Sequence, residues 1–435
     1  MTAVSNVTQL PSFDQVTEDA HSENEGHGFW WSAVGQSFAI LLKTNQYSED
    51  DQRFYVRWFQ QWITASLGPR PINGKPHYGA TFVYDGSPVE FSVNWKEKKP
   101  EQTVRFTIEP CSSKAGTAAD PLNQLAAKDL LQSMARVVPG IDLIRFNLFL
   151  SETHVPDEEA DEVLAKLPAG IPRARVLVAF DLERGGIVAK AYFNPVLKAI
   201  ASGKSISTVV FDAIRKCNGP AGSYNASIGL LDEFLESCGP SEVPHIFTVS
   251  NDCVSDTPNS RAKVYTIAPI TTLKSAKNVF SLGGRLSGAA IEGGLKAVGG
   301  FWGYVFGFDS PHTDFEEKEV LPAGTRCVFV FEMRPGKESG KVPNIEVKMH
   351  MPALWLGKTD TQVCDKLSSW FKSHGHDQLS GRYQQDMNLV FPKHDFSTPE
   401  RLTHTWVSLT YTEKTGLYMT MYYTPKLFGQ SSPIA

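Results

Sequence analysis

Little in this 435-residue chain points toward a metal, a membrane or a nucleic acid. Its six cysteines (Cys111, Cys217, Cys238, Cys253, Cys327, Cys364) include no C-x-x-C pair and no closely spaced histidine partners, so neither a zinc site nor a disulfide framework is signalled. Reduced thiols are expected. No run of about 18 apolar residues occurs, and the polar, acidic stretch from Met1 to Gly28 lacks the basic start and apolar run of a secretory signal. These absences predict a cytoplasmic protein, in which the N-x-[ST] matches Asn6-Val-Thr8 and Asn225-Ala-Ser227 carry no glycan. A net charge of −5 lacks the basic surplus of a nucleic-acid binder. An aspartate-rich magnesium motif of the D-D-x-x-D kind is missing too. Glu49-Asp50-Asp51-Gln52 has the wrong spacing, and Asn251-Asp252-Cys253-Val254-Ser255-Asp256 is one residue too long. Gly283-Gly-Arg-Leu-Ser-Gly288 does not open a βαβ unit, and Asp157, Glu158, Asp161 and Glu162 read as a solvated helix face.

What the chain does contain is a two-residue beat of polar side chains. Successive strand side chains point to opposite faces, so Arg261, Lys263 and Tyr265 share one face while Ala262 and Val264 share the other. Lys190 and Tyr192, Lys348 and His350, and Tyr418, Thr420 and Tyr422 alternate with apolar neighbours in the same way. A sheet with one wet face explains such alternation, but an ordinary wet face mixes in carboxylates, and these stripes have none. They fit an anion with an aromatic or cationic neighbour.

The same plan recurs along the chain. Helical patterning at 29–66 leads to strands near 80–84, 89–95 and 103–109, and patterning at 121–137 to strands at 142–150, 175–182 and 186–193, the last two joined by the turn Glu183-Arg-Gly-Gly186. Helices at 195–216 and 224–237 precede strands at 244–250 and 261–267. A Gly-rich helical region precedes 326–333 and 345–351, and a helix at 360–374 precedes 403–412 and 416–423. The expected fold is α+β: about ten antiparallel strands in five helix-helix-strand-strand units, closed into a barrel with a polar lumen and helices outside. A single domain over 29–428 is expected, between a disordered tail at 1–28 and a short one at 429–435. The run Gly299-Gly-Phe-Trp-Gly-Tyr-Val-Phe-Gly-Phe308 is read as a helix packed outside the barrel.

Gly68-Pro-Arg-Pro71, Pro88-Val-Glu-Phe-Ser-Val-Asn-Trp95, Val104-Arg-Phe106 and Glu109-Pro110, followed by the R-x-K-x-Y and K-x-Y strands, resemble the fungal dimethylallyltryptophan synthase family of aromatic prenyltransferases, which have the ABBA barrel. The likeness runs from about residue 29 to 425. It implies transfer of a dimethylallyl group from dimethylallyl diphosphate, a co-substrate, to an aromatic small molecule without a metal or other cofactor. Arg105, Lys190, Arg261, Lys263 and Lys348 match the family's diphosphate-binding positions, with Lys348 standing where some members carry Gln. Tyr192, Tyr265, Tyr418 and Tyr422 match its tyrosine shield around the allyl cation. Glu90 matches the carboxylate that anchors the acceptor, the other reading being a salt bridge to Arg105. Met333 falls on a position that floors the prenyl pocket, or else is a core methionine. Leu177 stands where members specific for C4 of tryptophan place a basic lysine. Asn194 and Thr248 sit about where those members clamp the amino-acid head group, so free tryptophan is not the expected acceptor. A large indole compound is expected, with a phenolic polyketide as the alternative; a noncatalytic barrel that binds anionic metabolites is the reading from another class. His350 replaces a tyrosine, either as a phosphate partner or proton acceptor in the lumen or as a tolerated substitution.

Overall fold

The two-residue beat becomes ten strands whose apolar halves face a layer of helices. The computed structural model of the chain describes residues 11–19, 25–79, 82–308, 315–336, 342–399 and 401–428. Strands β1 (Val89–Lys96), β2 (Val104–Ile108), β3 (Val176–Glu183), β4 (Gly186–Phe193), β5 (His245–Asp252), β6 (Ala262–Pro269), β7 (Arg326–Met333), β8 (Ile345–Pro352), β9 (His404–Thr412) and β10 (Gly416–Tyr423) each pair antiparallel with their neighbours in sequence. β1 also pairs with β10, from Phe91 opposite Tyr423 to Lys96 opposite Tyr418, and the sheet closes. Among the described residues, no strand of the barrel is left with an open edge.

Helices precede each hairpin in groups. α1 (Pro11–Asp19), α2 (Glu25–Thr44) and α3 (Glu49–Trp58) come before β1, and α4 (Leu125–Met134), α5 (Ile144–Thr153) and α6 (Ala160–Lys166) before β3. α7 (Val196–Ser202), α8 (Ile206–Arg215) and α9 (Asn225–Ser237) precede β5; α10 (Leu273–Phe280) and α11 (Ala289–Phe306) precede β7; α12 (Asp360–Ser373) and α13 (Asp377–Val390) precede β9. The expected five-unit plan and its barrel are borne out.

The core lies between barrel and helices. Phe106 on β2 meets Phe38 of α2 edge-on at 5.7 Å between ring centroids, Phe59 just after α3 at 5.1 Å and Phe180 on β3 at 5.3 Å. Burying one such ring stabilises by roughly 1.5–3 kcal/mol, and the layer continues around the barrel. The Gly-rich α11 packs outside, as expected, because Gly293 and Gly294 leave no room for a Cβ against the rings of Tyr411 and Phe280. Barrel closure depends on another glycine. Gly416 has a φ of 66°, and a Cβ there would run into the Glu97 carboxylate, which accepts a 2.9 Å bond from the Leu417 amide.

Three local expectations need correction. Residues 142–150 are not a strand: Phe146 and Phe149 stack on Phe193 from one face of a helix, α5, because three-residue spacing outweighs the alternation in Ile144-Arg-Phe-Asn-Leu-Phe-Leu150. Residues 82–84 form no strand, and 80 and 81 lie outside the described residues. The start of the chain is not a featureless tail, since α1 stacks Phe13 on Trp31 at 5.0 Å and α2 begins at Glu25; the rest of 1–28 up to that point, and 429–435, lie outside the described residues. Helix α13 was not anticipated.

Candidate active site in the barrel lumen

Pairing register brings the polar stripes together. Arg105, Lys190, Arg261, Lys263, Lys348, Tyr192, Tyr265, Tyr418, Tyr422 and His350 all line one cavity of about 200 Å³ inside the barrel. Lys96, at the end of β1, joins them with its ammonium 5.9 Å from the Tyr418 ring centroid. The two-residue beat from Glu90 through Ser92 and Asn94 was the available signal for it.

The cations are not bare. They sit on β2, β4, β6 and β8 or just before, while β3, β5 and β7 between them supply Asp181, Asp252 and Glu332. Asp181 takes Arg105 Nε at 2.6 Å and also the Lys190 ammonium. Asp252 takes Arg261 Nε at 2.7 Å and Lys263 Nζ at 2.6 Å; Glu332 takes an Arg261 Nη at 2.9 Å and Lys348 Nζ at 3.3 Å. Each carboxylate thus bridges two cations, and all five predicted cations are tied. An ammonium as buried as that of Lys190, only 2 % exposed, would otherwise carry an uncompensated desolvation cost of several kcal/mol. Sequence reading missed these carboxylates because they lie on the strands between the cationic stripes.

Charge and burial set the protonation states. Burial, with Arg105 beside it, pulls Lys190 down to about 7, and burial with Arg261 lowers Lys263. Burial pushes Asp181 and Asp252 up, yet their paired cations outweigh it and hold both well below the carboxylate range. Tyr192 is pushed up to about 12 by burial, and Tyr265 and Tyr422 rise for the same reason, so these hydroxyls remain donors. Burial also acts on Tyr418, but Arg105 and Lys348 override it and the phenol lies below its ordinary value. Its hydroxyl accepts from Asn94 at 3.2 Å, and the Lys348 ammonium stands 5.2 Å from its ring centroid. His350 is neutral: burial and Lys348 lower it to about 3 while Nε2 meets the Tyr422 hydroxyl at 3.2 Å.

Away from this cluster the lumen changes character. Glu90 shares the inward face of β1 with Ser92, and the Thr405 hydroxyl donates to it at 2.7 Å. Arg105 turns to Asp181 instead, so the salt-bridge reading of Glu90 does not hold. Burial raises Glu90 to about 7, with Asp85 adding to the effect. Leu177 pairs across to Tyr192 and Thr248 to Tyr265, both on the inward face. A β-bulge between Ile246 and Thr248 turns Phe247 toward the same Tyr265 ring, 6.3 Å away and edge-on, although Phe247 is 38 % exposed.

Two expected pocket residues are elsewhere. Met333 is fully buried in the outer apolar layer, paired with Ala262 and Ile345; the inward residues of β7 at the cavity are Val330 and Glu332. Asn194 lies past the end of β4, its Oδ1 accepting from the Val196 amide at 3.1 Å and its Nδ2 donating to the Pro172 carbonyl at 3.1 Å, which fixes the start of α7.

A family model described as Tryptophan dimethylallyltransferase matches residues 26–386. The chain belongs to this family. It is 46 % identical over 428 residues to prenyltransferase iacE of Pestalotiopsis fici, covering 98 % of this chain and 97 % of that one. It is 30 % identical to the 7-dimethylallyltryptophan synthase hasE of Aspergillus fumigatus, over 98 % of this chain and 91 % of the relative. The fold matches crystal structures of AnaPT from Neosartorya fischeri (TM-score 0.81, 24 % identity, 98 % and 100 % of the two chains) and of NotF with brevianamide F and DMSPP (0.79, 22 %, 96 % and 99 %). The chain is therefore a prenyltransferase with the ABBA barrel.

Proposed function

We propose that this prenyltransferase moves a dimethylallyl group from dimethylallyl diphosphate to an electron-rich aromatic acceptor presenting a ring N–H or O–H, an indole compound larger than free tryptophan first among them, without a metal. The observation that carries this is the convergence of six cations and four tyrosines on one cavity inside the barrel. Diphosphate oxygens take charge-assisted bonds from Arg105, Lys190, Arg261, Lys263 and Lys348 as the C–O bond breaks and its electron pair leaves with the diphosphate. The ring faces of Tyr192, Tyr265, Tyr418 and Tyr422 steady the allyl cation by roughly 0.5–2 kcal/mol each and screen it from water. Asp181, Asp252 and Glu332 are engaged by cations, so the charge that a magnesium ion would supply comes from side chains.

Glu90 receives the acceptor. As a half-buried carboxylate bonded by Thr405 and turned from Arg105, it accepts a ring N–H or O–H in this reading and pushes electron density toward the carbon that attacks the cation. Proton loss from that carbon to a base in the lumen restores aromaticity. Leu177 and Thr248 give this end neither an ammonium nor a guanidinium for an amino-acid head group, which favours acceptors other than free tryptophan. His350, neutral beside Tyr422, orients that hydroxyl. Incubating the protein with labelled dimethylallyl diphosphate and a panel of indole and phenolic acceptors, with and without EDTA, tests the reading by mass spectrometry of products. Prenylated product with chelator present supports it. Diphosphate bound but never released, with every acceptor, makes the protein a binder, and a strict magnesium requirement overturns the side-chain account of leaving-group stabilisation.

A further inference from the structure

Three carboxylates bonded to the cations of this cavity need a reason: Asp181 and Glu332 line it, and Asp252 holds two of its lining cations, Arg261 and Lys263. If the lumen served only to bind diphosphate as tightly as possible, Asp181, Asp252 and Glu332 would oppose it, since each places a negative charge beside the nitrogens that the ligand needs. Yet each is held between two cations, five of the six ion pairs lie at 3 Å or closer, and register places Arg105 opposite Asp181, Lys190 opposite Asp252 and Lys263 opposite Glu332 on neighbouring strands. The pairs form two chains: Arg105–Asp181–Lys190, and Lys263–Asp252–Arg261–Glu332–Lys348. In the second, Arg261 uses Nε for one carboxylate and an Nη for the other, so an arriving phosphate oxygen meets a guanidinium whose fork is already shared.

Resting on the donor reading above, we propose that Asp181, Asp252 and Glu332 are positioning residues that hold the cations for the diphosphate and, by remaining negative beside it, set how fast the released diphosphate leaves. The allyl diphosphate and the inorganic product offer similar oxygens to these cations, and an unopposed cluster would bind the product strongly enough to stall turnover. A carboxylate that stays next to the bound anion raises its energy and takes the cation back as it departs. The alternative is that the carboxylates only keep the cations ordered. The two ideas give opposite signs: a positioning and release role means that neutralising a carboxylate tightens diphosphate, whereas a purely ordering role means that it loosens diphosphate.

The experiment compares Asp252→Asn and Glu332→Gln with the natural protein. Each change keeps side-chain shape and one acceptor oxygen while removing the charge. Inorganic diphosphate binding is measured by calorimetry at about pH 6, below the value of about 7 to which Lys190 is lowered, and prenylation is followed through the first turnover and at steady state. The expected result is diphosphate affinity higher by about tenfold, with a burst of product in the first turnover and a lower steady rate. Unchanged or weaker diphosphate binding in both variants overturns the proposal, as does failure of both to fold, which would assign the carboxylates to stability. The calorimetric comparison needs no turnover. If the natural protein bound diphosphate but prenylated nothing, the functional reading would fall while the sign of the charge effect could still be read.

Discussion

The two ends of the lumen solve opposite electrostatic problems. At the proposed donor end every predicted cation is tied to a carboxylate, and the acids are locked in their charged form: Asp181 and Asp252 lie well below the ordinary range. At the proposed acceptor end Glu90 is separated from Arg105 and bonded by Thr405, and burial lifts it to about 7. At the first end the carboxylates stay charged while Lys190, lowered to about 7, can lose its proton; at the second, Glu90 must be ionised before it can accept a neutral N–H or O–H. The same barrel wall provides both because alternate inward positions on neighbouring strands can be charged or left apolar independently.

Breaking the donor end should have the largest effect. Arg261→Ala removes the guanidinium that joins Asp252 to Glu332 and leaves each of these buried carboxylates with a single cation, Lys263 or Lys348, so kcat/KM for the donor should fall by about 2–5 kcal/mol in free-energy terms. Steady-state kinetics with a melting curve as control checks this; normal kinetics in a folded variant would place Arg261 outside the site. Glu90→Gln comes next, with a loss of about 2–4 kcal/mol in prenylation and no change in donor affinity. Equal loss of both would return Glu90 to a structural role beside the donor cations.

Titration sharpens the contrast. Glu90, raised to about 7, holds a proton below that pH and cannot accept the acceptor's hydrogen, so kcat/KM for the acceptor should fall as pH drops through 7. Lys190, lowered to about 7, loses its proton above that pH, so donor affinity should fall as pH rises through 7. A bell-shaped profile whose acid limb vanishes in Glu90→Gln and whose alkaline limb moves outward in Lys190→Arg would confirm the assignment; limbs unmoved by either change would refute it. The smallest effect belongs to Phe247→Ala at the β-bulge, which should weaken acceptor binding by about 0.5–1.5 kcal/mol and leave donor binding alone. A change in donor affinity instead would show that the bulge supports Tyr265 and not the acceptor.

The cations and tyrosines of the lumen were legible because each sits in or beside a strand whose other face is plainly apolar, so parity alone separated inward from outward residues. Strand β7 defeated that reasoning. Val328 and Val330 point inward and Phe329 and Phe331 outward, so the middle of the strand is apolar on both faces; Glu332 marks the lumen side, and pairing with Ala262 and Ile345 puts Met333 on the other. Residues 142–150 failed for a related reason, since a short run rich in Ile, Leu and Phe satisfies two periods and only packing on Phe193 chooses between them.

By itself the sequence determined the number of units, the alternation that makes a barrel wall, the cation and tyrosine stripes and the family they resemble, because all of these are local patterns or ordered motifs. Tertiary structure alone decided that Asp181, Asp252 and Glu332 stand between those cations, that Arg105 turns from Glu90, that Asn194 fixes the start of α7 and that Met333 faces the core. The physical reason is strand register. Which residue lies opposite which depends on hydrogen bonding between segments far apart in the chain, and a slip of one residue would exchange the two faces of a strand.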